Sequence, residues 1–176
     1  MPPDFSLGLC FMLPAAPIML HYHDGPGFFA GFTLGALGII FAVQAMRVRF
    51  VVGKDAFEIK KKPLTSLAAD DDASALEFAG DNVVVGGRNK WKYSAFQNFA
   101  FFPKGFVEAG LPPLLFYFKE TQTPQKNARG PGKLLSDLSR KWFPDAKPGQ
   151  VHFAPAMCDP KALKAALLAK GVKQIP

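Results

Sequence analysis

Two apolar runs, Phe5–Leu20 and Phe28–Met46, fill the start of the chain, separated by the turn His21-Tyr22-His23-Asp24-Gly25-Pro26-Gly27. A membrane-spanning helix needs about 20 apolar residues at a rise of about 1.5 Å each. The second run supplies 19 residues without a charge and reads as a span. The first supplies 16, with Pro14 and Pro17 inside it. It reads as a short span, kinked or re-entrant, with a buried or interfacial helix as the alternative. Residues 1–47 are therefore expected to form a transmembrane helical hairpin.

Beyond residue 47 the period changes. Val48–Val52 and Ala56–Lys60 read as strands joined by a turn at Gly53-Lys54-Asp55. The first strand follows the second helix with almost no linker, so the domain is expected to sit directly on the membrane. Pro63–Ser74 is a loop bearing Asp70-Asp71-Asp72, read as a solvated tip because its acids lack the alternating spacing of a calcium loop. Ala75–Ala79 and Asn82–Val85 suggest a second hairpin turning at Gly80-Asp81. The aromatic stretch Trp91–Phe102, then Leu114–Lys119 and Val151–Ala154, read as further strands. Thr121–Lys133 is a polar loop, and Leu134–Trp142 has helical spacing. A last helix is announced by Asp159 as N-cap, Pro160 in the first turn and Gly171 at the end, with Leu163, Ala166 and Leu167 on one stripe. The expected class is a membrane α-hairpin plus an α+β soluble domain over residues 48–176. Six or seven short strands in a bent sheet or open barrel, capped by that helix, are the layout of a pleckstrin-homology-like domain.

Charge sets the orientation. All 21 Lys and Arg lie after residue 46, and only Asp4 and Asp24 of the 14 acids lie before it. An acidic Met1-Pro2-Pro3-Asp4 start lacks the basic flank of a signal peptide, so the apolar head reads as mature membrane structure. The positive-inside rule puts the basic domain in the cytoplasm or its organellar equivalent, the stroma. Arg47, Arg49, Lys60, Lys61, Lys62, Arg88, Lys90, Lys126, Arg129 and Lys133 are the candidates for contact with anionic lipid or a protein partner. Attachment to a bilayer argues against nucleic acid as that partner.

The hairpin carries its own candidates. Gly27, Gly31 and Gly35 recur at every fourth position, with Gly38 nearby. Small residues let helices approach closely in lipid. The stripe packs either against the first helix or against a partner's helix, and both readings stay open. His21 and His23 at the turn are candidate ligands for a metal or the magnesium of chlorophyll, or simply interfacial polar side chains.

The segments Lys90-Trp91-Lys92-Tyr93 through Phe101-Phe102-Pro103, Pro113 through Glu120, and Val151-His152-Phe153-Ala154-Pro155 resemble an uncharacterised membrane-protein family of cyanobacteria and plastids. The resemblance covers most of residues 28–170 and departs in the Pro-rich first span and the Asp70–Asp72 insertion. It implies two spans with a pleckstrin-homology-like domain, a thylakoid location, and a role beside photosynthetic complexes, most plausibly photosystem I. It implies no reaction. No cofactor of the chain's own is expected, and chlorophyll or lipid at the hairpin is the candidate ligand.

Catalytic motifs are missing from the sequence. His152, in an alternating strand, is read as an exposed position with no serine or acid motif around it. Gly86-Gly87-Arg88-Asn89-Lys90 lacks phosphate-loop spacing, and Pro131 removes a donor from Gly130-Pro131-Gly132-Lys133. Cys10 and Cys158 form no metal or disulfide pattern. The expected function is therefore that of a non-catalytic accessory subunit of a membrane complex. A membrane-anchored lipid-binding or assembly module is the alternative.

Overall fold

The computed structural model describes residues 1–63, 76–80, 88–124 and 151–175. The expected strand Asn82–Val85, the helix Leu134–Trp142 and the Asp70–Asp72 cluster lie outside the described residues. The two apolar runs form helices α1 (Ser6–His21) and α2 (Gly25–Arg47). Asp4 Oδ1 accepts from Ser6 N at 2.8 Å, which satisfies one free donor at the start of α1. Gly25, at φ +66°, takes a left-handed conformation that opens α2 directly after the three-residue turn. The helices run antiparallel, with Gly8 against Gly38 and Ala42, and Ala15 against Gly31 and Gly35. Among the described residues, α2 alone is long and apolar enough to cross a membrane; α1 is apolar but shorter.

The strands follow without a break. β1 (Val48–Val52) pairs antiparallel with β2 (Ala56–Lys61), Val48 opposite Lys61 and Val52 opposite Phe57. The Tyr93 hydroxyl donates to Ala56 O at 2.9 Å and lies 3.2 Å from Gly53 O, which clamps the turn between them. β3 (Glu77–Phe78) and β4 (Lys90–Lys92) both pair with β2, near its end and its start respectively. The aromatic stretch expected as one unit divides into β4, a 3₁₀ turn at Tyr93–Ala95 and β5 (Phe96–Phe102). β6 (Leu115–Glu120) and β7 (Val151–Pro155) continue from β5 as antiparallel neighbours. α3 (Pro160–Ala169) follows, and β8 (Lys173–Gln174), absent from the sequence expectation, pairs parallel with β5. The second sheet therefore has the order β7-β6-β5-β8.

The ends of α3 match the sequence signals. Asp159 Oδ1 accepts from Lys161 N and Ala162 N at 2.9 and 3.0 Å, Pro160 stands in the first turn, and Gly171 has φ +77°. Leu163 and Leu167 are fully buried beneath the helix.

The core lies between the two sheets and is largely aromatic. Phe57 of the first sheet meets Phe116 and Phe118 of the second at centroid distances of 5.7 and 5.8 Å, both edge-on. It also packs on Phe50 and Trp91. Such pairs add about 0.5–1.5 kcal/mol each beyond the area they bury. Phe57→Ala is expected to destabilise the β domain by about 3–5 kcal/mol. The measurement is urea unfolding of the full chain in detergent, followed by near-ultraviolet circular dichroism.

Candidate functional site

The hairpin seam is built from small residues. A Cβ added at Gly38 would lie 2.4 Å from Met12 Cγ and 2.8 Å from Gly8 O. One at Gly31 would lie 3.0 Å from Ala15 O, and one at Gly27 would collide with the Tyr22 ring. Gly35 is looser, at 3.5 Å from Ala15 Cβ. The glycine stripe thus faces the chain's own α1, and Gly8 completes the seam from the other side. The outer face carries the large side chains: Leu13, Leu20, Phe29, Phe32, Ile39 and Ile40 are all exposed. His21 and His23 are exposed at the turn, where the His21 ring meets Tyr22 edge-on at 4.7 Å. No group of three or more metal-ligating side chains occurs among the described residues.

At its other end the hairpin is fused to the β domain. α2 ends at Arg47 and β1 starts at Val48. Arg49 Nη1 donates to Ala45 O at 2.9 Å and to Val48 O at 3.0 Å, placing a cation on the last-turn carbonyls of α2. Lys62 N donates to Arg47 O at 2.7 Å. Arg49 and Lys62 are buried, at 5% and 3% exposure, and the Arg49 guanidinium is turned into the junction. Arg47, Lys60 and Lys61 are half-buried around the same junction. Arg88 and Lys90 are exposed on the outer side of the first sheet, where Lys90 Nζ pairs with Glu58 at 2.8 Å. Lys126, Arg129 and Lys133 lie outside the described residues.

A second tie was not anticipated. Residues 1–4 run back along the segment after β7. Pro3 bridges Cys158, Asp4 N donates to Met157 O at 3.1 Å, Asp159 N donates to Pro2 O at 3.4 Å, and Met1 N donates to Phe50 O at 2.7 Å. Both feet of the hairpin are thus held on one end of the β domain. Backbone pairing of Pro2 and Pro3 leaves no sequence periodicity, so only their φ-restricted, extended character hinted at a strap.

The domain's opposite end holds a buried polar cluster, also unanticipated. Glu120 and His152 are 0% and 1% exposed. His152 Nε2 lies 2.7 Å from Glu120 Oε1 and 3.4 Å from Thr123 Oγ1. Glu120 Oε2 also accepts from Thr123 N at 2.9 Å and from Gln122 N. The His152 ring stacks on Phe118 at 5.0 Å and leans on Trp91 at 4.8 Å. His152 is thus not an exposed strand position: its pairing opposite Phe118 turns it inward. Alternation could have located Glu120, which shares a face with Phe116 and Phe118. Burial pushes the Glu120 carboxyl up, but hydrogen bonds from His152 and Thr123 outweigh it and hold the group below its ordinary value. The pair closes the 121–123 turn and ties β6 to β7. Burial also pushes the Cys158 thiol up to about 12, leaving it poorly nucleophilic, while Cys10 is exposed.

The model of a family described as "Protein of unknown function (DUF3119)" matches residues 1–171. The chain belongs to the DUF3119 family. The DUF3119 match spans the hairpin, strands β1 to β7 and α3, and stops short of β8. No curated protein and no solved structure matches the chain.

Three outcomes follow for this DUF3119 chain. Gly38→Leu is expected to force α1 away from α2, read as a lengthened spin-label distance between Leu9 and Val43 positions in detergent, with the β-domain unfolding midpoint retained. His152→Ala removes one of the hydrogen bonds to the buried Glu120 carboxylate and is expected to cost about 1–3 kcal/mol. In the native chain, the stability that Glu120 contributes is full above the ordinary carboxylate value. It is lost as the pH falls through the lowered folded value. Urea midpoints measured from neutral pH downward should fall in the native chain and fall less in Glu120→Gln.

Proposed function

We propose that this protein is a membrane-anchored, non-catalytic accessory subunit of a membrane protein complex. The observation that carries this reading is the inside-out hairpin. Its small residues are consumed in the α1–α2 seam, and its largest apolar side chains face outward. Leu13 and Leu20 are 71% and 73% exposed, and neighbouring Phe and Ile residues share that exposure. An apolar surface of this extent needs lipid or a partner's helices to cover it. On this reading both helices cross the bilayer, α1 as the short span, and the basic β domain lies on the cytoplasmic or stromal side.

The β domain is read as pleckstrin-homology-like. Support comes from its two sheets, the antiparallel β5-β6-β7 run and the closing helix α3. That the complex is photosynthetic, thylakoid-bound and most plausibly photosystem I rests on the family resemblance of the aromatic strands. Chlorophyll at His21 or His23 and bound lipid remain part of that proposal, and the exposure of both rings leaves them accessible.

The second reading, a lipid-binding or assembly module, is favoured by Lys60 and Lys61 beside the junction. Native electrophoresis of mildly solubilised membranes separates the two. Stoichiometric co-migration with a mature pigmented complex is the expected result. Migration alone, or with immature complexes only, would transfer the case to the second reading.

A further inference from the structure

The β domain has two ends, and the hairpin defines which is which. Val48, Lys61 and Lys62 stand where α2 enters the first sheet. Phe102, Leu115 and Pro155 end the strands of the second sheet beside the 156–158 segment that the strap holds. The far end carries the Gly53–Asp55 turn, the start of β5, and Glu120 with His152. α3 runs between the ends, since Asp159 meets Pro2 at its start and Lys170 Nζ donates to Lys54 O beyond its finish.

The large apolar residues left exposed on the domain are distributed unevenly. Among the described residues outside the hairpin they are Phe78, Phe102, Leu111, Leu114 and Leu168. Leu168 lies on the outer side of α3. The other four cluster at the hairpin end. Phe78 pairs with Lys60, one position from the Val48–Lys61 pair. Leu114 N donates to Phe102 O at 2.7 Å, keeping those two together at the strand ends. Leu111, 49% exposed, lines a hollow of about 260 Å³ with Asp4 and Ser6, the residues that open α1. Phe5, the residue before α1, is exposed as well.

The distance between this end and the bilayer is set by the absence of linkers. β1 begins one residue after α2, and the strap begins two residues before α1. The 16 residues of α1 rise about 24 Å, less than the roughly 30 Å of hydrocarbon. A domain held this tightly has its near end at the hydrocarbon edge, inside the headgroup layer and not above it. Lys161 is exposed and lines the same hollow as Leu111, and Lys104 is exposed two residues after Phe102, a mixture of side chains suited to that layer. Glu77 is the exposed acid next to Phe78 and stands opposite Lys61.

We propose that the hairpin end of the β domain is a lipid-contacting face, with Phe78, Phe102, Leu111 and Leu114 seated in the headgroup layer of the bilayer around the two helices. The proposal deepens the membrane-anchored reading and rests on it. It makes the domain a body with a fixed tilt on the membrane, its Gly53–Asp55 turn pointing away.

The test uses the full chain with Cys10→Ser, in vesicles of phosphatidylcholine and phosphatidylglycerol containing nitroxide-labelled lipid. A fluorophore is placed on a single added cysteine at Leu111, Phe78, Ile39 or Lys54, in separate proteins; Cys158 is buried and does not compete. Each labelled protein is first required to keep the unfolding midpoint of the Cys10→Ser chain. The expected result is quenching at Leu111 and Phe78 within about twofold of that at Ile39, with Lys54 unquenched. Quenching at Ile39 without quenching at Leu111 and Phe78 would overturn the lipid face and leave the anchored hairpin standing. If those two sites became shielded only in native membranes, and not in pure lipid, the face would belong to a protein partner and the proposal would fail. Absence of quenching at Ile39 would remove the anchored hairpin, and the lipid face with it.

Discussion

The peptide bond between Arg47 and Val48 joins a helix to a strand with nothing between them, and the geometry on either side depends on its rigidity. Helix carbonyls that would be left without partners at Ala45 and Arg47 are taken by Arg49 and by the backbone of Lys62. The junction can neither hinge through a free loop nor fray without losing those bonds. The strap at residues 1–4 adds a second attachment on the other helix. Two attachments on one face remove the swivel that a single tether would allow. The orientation of the β domain relative to the hairpin is therefore a property of the fold.

The aromatic core serves the same rigidity. Phe50, Phe57, Trp91, Phe116 and Phe118 cross between the sheets, while Leu163 and Leu167 close one side. Glu120 and His152 sit at the edge of this cluster, joined through His152 Nε2, while the buried His152 Nδ1 has no hydrogen-bond partner among the described residues. The hydrogen bonds that Glu120 accepts from His152 and from the backbone of Gln122 and Thr123 fix one arrangement of β6, β7 and the 121–123 turn. Breaking them leaves a charge without water.

Local features were legible in the sequence, and long-range ones were not. The apolar runs located both helices to within a few residues, and the signals at Asp159, Pro160 and Gly171 located α3. The glycine stripe was visible, but its partner was not, because a smooth helix face has no sequence mark for what lies against it. Gly8 supplied the missing half. Arg49 looked like one more juxtamembrane cation, since nothing local reveals that it folds back onto the helix it follows. β8 has two residues and depends wholly on β5 for its partner. His152 and Glu120 are distant in sequence, and the strand register that joins them is set by the packing of Phe118 and Ala154.

The strap between residues 2–4 and 157–159 also has a consequence in time. Synthesis delivers the hairpin first, and its partner segment only after some hundred further residues have been joined. During that interval the first helix has its neighbour but no anchor on the domain, and Phe50 and Phe57 have no opposing sheet. Contacts this remote in the chain form late and slowly. The nascent chain therefore passes through a stage in which the pair of helices carries a half-built sheet, and a segment made much later locks the first helix.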